Sequence, residues 1–160
     1  MAIQVGDTLP AGRFTVMNAD GPGSDSIDDL FAGKKVVLFS VPGAFTPTCS
    51  KEHLPGYIEQ SGALKAKGVD LIACMAVNDV FVMDAWGKQN AAEGKVAMLA
   101  DGSGAYSKAL GLELDLSDRG LGVRSSRFAL VIEDKVVTQA FLEEGGAFEV
   151  SSAENVLANI

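Results

Sequence analysis

Lys35-Val36-Val37-Leu38-Phe39, running into Ser40-Val41-Pro42-Gly43-Ala44-Phe45-Thr46-Pro47-Thr48-Cys49, is the stretch on which the reading of this chain turns. The first part is an apolar run of strand length, as expected for a strand buried on both faces. Beyond it Leu54, Tyr57, Ile58, Ser61 and Leu64 recur at three- and four-residue spacing and predict a helix. Between the two, Pro42, Gly43 and Pro47 impose a bent, non-periodic loop. Cys49 therefore falls in or just before the first turn of a helix, at the carboxyl end of a buried strand.

That position suits a reactive thiol. Free N–H groups and the helix dipole at an N-terminus stabilise an anion. A cysteine placed there can be brought from about 8.5 into the range of roughly 3.5–7.5, which makes the nucleophilic thiolate abundant at neutral pH. Thr46 lies where a turn can bring its hydroxyl beside the sulfur as donor or acceptor. An arbitrary cysteine is more often a small buried hydrophobe; the proline-rich loop, the neighbouring threonine and the helix start favour the reactive reading here.

Composition narrows the rest. The chain has 160 residues, 48% of them hydrophobic, which suits one domain, residues 1–160, with a substantial core. A formal net charge of -8 argues against nucleic acid and anionic membrane surfaces as partners. No apolar run approaches the roughly 18–20 residues of a membrane span. The first residues carry neither a basic nor an apolar leader segment, so the expected location is cytoplasmic. The two cysteines, Cys49 and Cys74, are far apart, which supports neither a disulfide scaffold nor a zinc site. No metal and no cofactor is expected.

Pro42-x-x-x-Thr46-x-x-Cys49 resembles the peroxidatic-cysteine motif of the peroxiredoxins, thiol peroxidases built on a thioredoxin-like fold. The fuller string Val41 to Ser50, with His53-Leu54-Pro55-Gly56 after it, is similar to their type II (five-group) subclass. Val77-Asn78-Asp79, Trp86, Glu93-Gly94-Lys95 and Arg127-Phe128 extend the resemblance over essentially the whole chain. The fold class implied is α/β and thioredoxin-like, with an N-terminal extension and an insertion before the final β-hairpin.

The local patterns agree with that order. Phe14 to Met17 predicts a short strand, Asn18 to Asp25 reads as turn, and Ser26 caps a short helix through Phe31. Val69 to Val77 predicts a second buried strand. A helix over roughly Val80 to Ala91 follows, with Phe81, Val82, Ala85, Trp86 and Gln89 as its expected buried face. Val96 to Leu99 predicts a strand, Ser103 to Leu110 a short helix, and the chain to Gly122 reads as irregular. Phe128 to Ile132 and Val136 to Leu142 form a hairpin around Glu133-Asp134-Lys135. A last helix starts at Ser151 or Ser152, where Ser151-x-x-Glu154 signals a capping box, and buries Val156, Leu157 and Ile160. Right-handed crossovers between parallel strands put Cys49 at the carboxyl edge of the sheet, where α/β folds place their sites.

The resemblance implies roles. Cys49 becomes the nucleophile and passes through a sulfenic acid. Thr46 bonds the sulfur and the peroxide, the amides of Thr48 and Cys49 complete an oxygen-binding nest, and Pro42 closes over the thiol. Chemistry alone leaves Arg124 and Arg127 equal as a fixed cation; the family pattern, an arginine directly before Phe at a strand start, selects Arg127. His53, four residues beyond Cys49, either orients a substrate or acts as a base, or is simply bonded to nearby backbone. Trp86 and Phe81 read as core or interface.

Cys74 sits inside Leu71-Ile72-Ala73-Cys74-Met75-Ala76-Val77 and is expected to be buried and inert. At about 3.3 Å per residue it lies roughly 10 Å below the sheet edge, beyond the ~7 Å between Cα atoms that a disulfide spans. Some type II members carry a resolving cysteine near the C-terminus; Gly145 to Val150 contains none. The implied activity is a peroxidase for hydrogen peroxide and small organic hydroperoxides. It runs a one-cysteine cycle resolved by glutathione with glutaredoxin, or by thioredoxin, in a homodimer. The alternative is a redox sensor or binding module that signals through oxidised Cys49. Acyl transfer is disfavoured, because no His–carboxylate pair is present to serve as base and orienter.

Overall fold

The structure, a computed structural model, describes residues 1–160. Its strands are β1 (Arg13–Asn18), β2 (Gly21–Ser26), β3 (Lys35–Ser40), β4 (Leu71–Ala76), β5 (Ala97–Ala100), β6 (Glu113–Leu116), β7 (Gly122–Ser125), β8 (Phe128–Glu133) and β9 (Val136–Leu142). Its α-helices are α1 (Ile27–Phe31), α2 (Leu54–Glu59), α3 (Ser61–Ala66), α4 (Val80–Gln89), α5 (Ala105–Leu110) and α6 (Ala153–Asn159). A π-helical turn, Cys49–His53, leads into α2. Seven strands form one sheet in the order β2-β1-β5-β4-β3-β8-β9, while β6 and β7 pair apart from it. β3, β4 and β5 are parallel to one another; β8 and β9 add antiparallel on one side and β1 and β2 on the other. No helix is long and apolar enough to cross a membrane.

The apolar runs are continuous because both faces of the sheet are covered. Val37 and Phe39 of β3 pack with Ile72, Tyr57, Trp86 and Val156, on the side of α2, α4 and α6. Val36 and Leu38 pack with Met75, Phe31, Tyr106 and Leu130, on the side of α1 and α5. Each fully buried side chain of this kind contributes about 1.5–3 kcal/mol. The end of β3 is thus a firmly held point from which the Pro42–Cys49 loop departs.

Several local readings need correction. The Gly21-Pro22-Gly23 region is not a turn but part of β2, which pairs with β1 from Asn18↔Gly21 to Arg13↔Ser26. β2 is the outermost strand, and an edge tolerates Pro22, which has no N–H to donate. The stretch before Gly122 is not irregular: β6 and β7 form a hairpin with Leu114 opposite Arg124.

α4 lies where it was expected, but its buried face is Val80, Met83, Trp86 and Gly87. Phe81 is 65% exposed, and Ala85 and Gln89 also face outward. Gly87 decides the rotation, since a Cβ there would come within 2.8 Å of Met98 Cγ in β5. The periodic stretch after Cys49 is not one helix either, because Gln60 (φ -91, ψ 4) separates α2 from α3. At α6 the cap is Ser152, which accepts from Asn155 N–H. The Ser151–Glu154 box does not form, because Ser151 is buried and spends its hydroxyl on Glu143.

Candidate active site

The site is assembled at the carboxyl edge of β3. Val41 N–H still bonds Met75 O, and the chain then bends through Pro42 and Gly43. Gly43 allows a close approach there: a Cβ would crowd Thr46 Cγ2 at 3.1 Å and Arg124 Nη1 at 3.2 Å. Asn78, just past β4, pins the loop by accepting from Ala44 N–H at 2.9 Å. Pro47 and Thr48 begin the helical run, so Cys49 stands in its first turn, where amides lack preceding helical carbonyls. The turn is wide, with Leu54 N–H reaching back to Cys49 O, and π turns of this kind recur at functional sites.

Cys49 is fully buried. Its Sγ accepts from Arg127 Nη2 at 3.2 Å. Arg127 sits just before β8, is only 5% exposed and lies with its guanidinium carbon 5.6 Å from the Phe148 ring centroid. Its Nη1 donates to His53 Nδ1 at 2.8 Å, and its Nε is buried without a partner. A guanidinium can only donate, so His53 carries its proton on Nε2, which donates to Ser151 O at 3.1 Å. Burial and then the charge of Arg127 push His53 down to about 3, against the pull of Ser151. His53 is therefore neutral at physiological pH and has both nitrogens engaged. That excludes its service as a free base in this state and favours the reading in which it is bonded within the protein.

Arg124 takes a different place. Its Nε donates to Leu121 O at 2.8 Å, and Nη1 reaches Val77 O at 3.3 Å and Pro42 O at 3.4 Å. It ties the β6–β7 hairpin to the ends of β3 and β4. Ser40 Oγ and Ser125 Oγ, bonded at 2.8 Å, do the same from within. Of the two arginines, only Arg127 bonds the sulfur.

One expectation changes. Thr46 Oγ1 donates to Gly43 O at 2.7 Å and makes no hydrogen bond to Cys49; its proton is committed to the loop, leaving its lone pairs as acceptors. Cys49 itself has no exposed surface. Trp86 belongs to the core, and its Nε1–H donates to Ser50 Oγ at 3.0 Å, beside Cys49.

Cys74 lies in the middle of β4, opposite Phe39 and Met98. Burial pushes its thiol well up, and the charge of Cys49 adds to this. Residues that sequence reasoning missed are Asn78, Glu143, Phe148 and Ser151. The last three come from the run after β9, where the sequence marks only the lack of a cysteine in Gly145 to Val150 and a helix cap at Ser151.

Comparisons with known proteins place the whole chain in a family. A model described as Redoxin matches residues 4–157. Peroxiredoxin-2B of Arabidopsis thaliana is 56% identical over 97% of this chain and 96% of its own length. The crystal structure of reduced Prx3 in complex with hydrogen peroxide, from Vibrio vulnificus, superposes with a TM-score of 0.95 at 53% identity, covering 98% of each chain. A Burkholderia cenocepacia chain, described provisionally as a thioredoxin reductase, reaches 0.98 at 50% identity, covering 100% of this chain and 99% of its own. The chain belongs to the redoxin family and, within it, to the type II peroxiredoxins, thiol-dependent peroxidases on a thioredoxin-like fold.

Proposed function

We propose that Cys49 is the peroxidatic nucleophile of a one-cysteine cycle acting on hydrogen peroxide and small organic hydroperoxides. The observation that carries this reading is the 3.2 Å bond from Arg127 Nη2 to Cys49 Sγ in a fully buried setting. A charge-assisted donor there favours the thiolate and later faces the oxygen on which charge develops. The thiolate attacks one peroxide oxygen in line, the O–O bond breaks, and the other oxygen leaves as hydroxide or alkoxide and takes up a proton. Thr46, with its own proton on Gly43 O, accepts from the hydroxyl of the incoming peroxide. The amides of Thr48 and Cys49 donate to the oxygens. Pro42, half-buried at the start of the loop, limits access of water.

The product is a sulfenic acid on Cys49. Attack by glutathione on that sulfur would release water and leave a mixed disulfide, which a second thiol, delivered by glutaredoxin, returns to Cys49 and oxidised glutathione. Thioredoxin could serve instead through its own pair of thiols. Because the reduced Cys49 is fully buried, either reductant requires the Cys49–His53 turn to open after oxidation. The burial and raised thiol of Cys74 support its exclusion from the cycle.

The proposed location is cytoplasmic, where two unpaired cysteines stay reduced. The proposed assembly is a homodimer through the face around Cys49. Four exposed apolar residues, Phe45 in the loop after β3, Phe81 at the start of α4, and Leu121 and Val123 of the β6–β7 hairpin, stand near the backbone carbonyls that Arg124 ties together, and such a patch marks an interaction surface. Steady-state turnover of hydrogen peroxide with glutathione and glutaredoxin, and separately with thioredoxin, tests the cycle. Turnover with neither system would sink it.

A further inference from the structure

Arg127 is held at both ends by one closed set of hydrogen bonds. Its main-chain carbonyl accepts from Glu143 N–H at 3.2 Å. The carboxylate of the same Glu143 gathers the next turn of chain on a single oxygen. Oε2 accepts from the N–H groups of Glu149, Val150 and Ser151 at 2.8, 2.9 and 2.8 Å, and from the Ser151 hydroxyl at 2.7 Å. That turn holds Ser151 buried with its carbonyl inward, where it accepts from Tyr57 Oη at 2.7 Å and from His53 Nε2 at 3.1 Å. His53 Nδ1 then accepts from Arg127 Nη1 at 2.8 Å. The ring leaves Arg127 by its backbone and returns to it by its side chain, whose other hydrogen bond goes to the Cys49 sulfur.

This arrangement answers a physical difficulty. An arginine side chain has many rotamers, and Nε of Arg127 is buried without a partner to fix it. A carboxylate set directly against the guanidinium would orient it but would compete with the thiolate for its charge. A neutral imidazole orients the guanidinium and leaves its charge to the sulfur. The imidazole itself needs a fixed tautomer and a fixed plane, and the Ser151 carbonyl supplies both.

We propose that Glu143 and His53 are positioning residues for Arg127. The Glu143 carboxylate sets the Ser151 carbonyl, that carbonyl sets the His53 ring, and His53 Nδ1 turns Nη2 of Arg127 onto the sulfur. The proposal rests on the reading of Arg127 as the cation that activates Cys49. His53 accordingly touches neither peroxide nor proton transfer.

The test is the second-order rate of Cys49 oxidation by hydrogen peroxide in His53→Ala, Glu143→Ala and Arg127→Ala. It adds the two double variants that contain Arg127→Ala, with Glu144→Ala as an exposed control. His53→Ala and Glu143→Ala should each slow oxidation by about tenfold or more. In the Arg127→Ala background each should cost less than about a further twofold, the signature of residues that act through the arginine. Glu143→Gln should restore most of what Glu143→Ala loses, because one oxygen takes all four bonds. His53→Asn keeps a donor and an acceptor; it replaces His53→Ala where that variant does not fold and should react faster than Arg127→Ala. A slow Arg127→Ala with multiplicative losses in the doubles would overturn the positioning role and leave the reading of Arg127 intact. An Arg127→Ala that reacts at the wild-type rate would overturn both.

Discussion

Replacing Arg127 by alanine removes the one charged donor that bonds the Cys49 sulfur, and its cost can be worked from the geometry. The bond is 3.2 Å long, and the arginine is 5% exposed beside a fully buried thiol, so solvent screens it little. A hydrogen bond to a charged group is worth about 1.5–3 kcal/mol, and each 1.36 kcal/mol changes a rate tenfold. The expected loss in the second-order rate with hydrogen peroxide is therefore between about tenfold and about 160-fold. Arg127→Lys should recover only part, since an ammonium cannot span both His53 Nδ1 and the sulfur as the planar fork does. The assay is stopped-flow fluorescence of Trp86, the single tryptophan, whose Nε1–H bonds Ser50 next to Cys49. Arg124→Ala serves as the comparison, because Arg124 touches loop carbonyls and not the sulfur. A rate for Arg127→Ala within threefold of wild type, or a larger loss in Arg124→Ala, would refute the reasoning.

Cys49→Ser should abolish peroxide consumption while Cys74→Ser keeps most of it, as read by residual peroxide after a fixed time; equal losses would remove the distinction between the two thiols. His53 titrates at about 3 when folded against about 6.5 when free, so the unfolded chain takes up this proton first. Its contribution to stability is complete above about pH 6.5 and is lost as pH falls toward 3, at up to about 1.36 kcal/mol per pH unit. His53→Asn should flatten the pH dependence of the urea midpoint between about pH 6 and 4, and an unchanged slope would contradict the buried neutral imidazole. Phe81→Glu places a charge on the exposed apolar face and should shift sedimentation from dimer toward monomer; a monomer in the unmodified protein would end the homodimer proposal.

The parts of the fold that were legible in sequence are those where burial is two-sided. β3, β4 and β8 read directly because every residue between their ends is covered. The N-cap of α1 also read directly, since Ser26 stands immediately before the helix; the structure adds that Asp29 completes a capping box with it. What failed was one-sided or marginal. β2 carries glycine and proline that only an edge strand accepts. The β6–β7 hairpin has alternating half-exposed residues and no sheet to extend. The phase of α4 depends on how closely Gly87 approaches Met98, which periodicity does not encode. At the site, Cys49 and Thr46 were visible because one loop carries both, and Arg127 because family resemblance singled it out. The Glu143–Ser151–His53 connection was not visible, since its members are distant in sequence and meet through backbone carbonyls and amides, which leave no mark on residue type.

The most direct test of the account is the fate of Cys49 after one equivalent of hydrogen peroxide, followed by intact-protein mass spectrometry with and without glutathione. The one-cysteine cycle predicts a single glutathione adduct on Cys49 when glutathione is added. With excess peroxide and no thiol it predicts sulfinic acid on Cys49, with Cys74 still free to react with an alkylating agent after unfolding. A Cys49–Cys74 disulfide formed in high yield before any external thiol is supplied would contradict it.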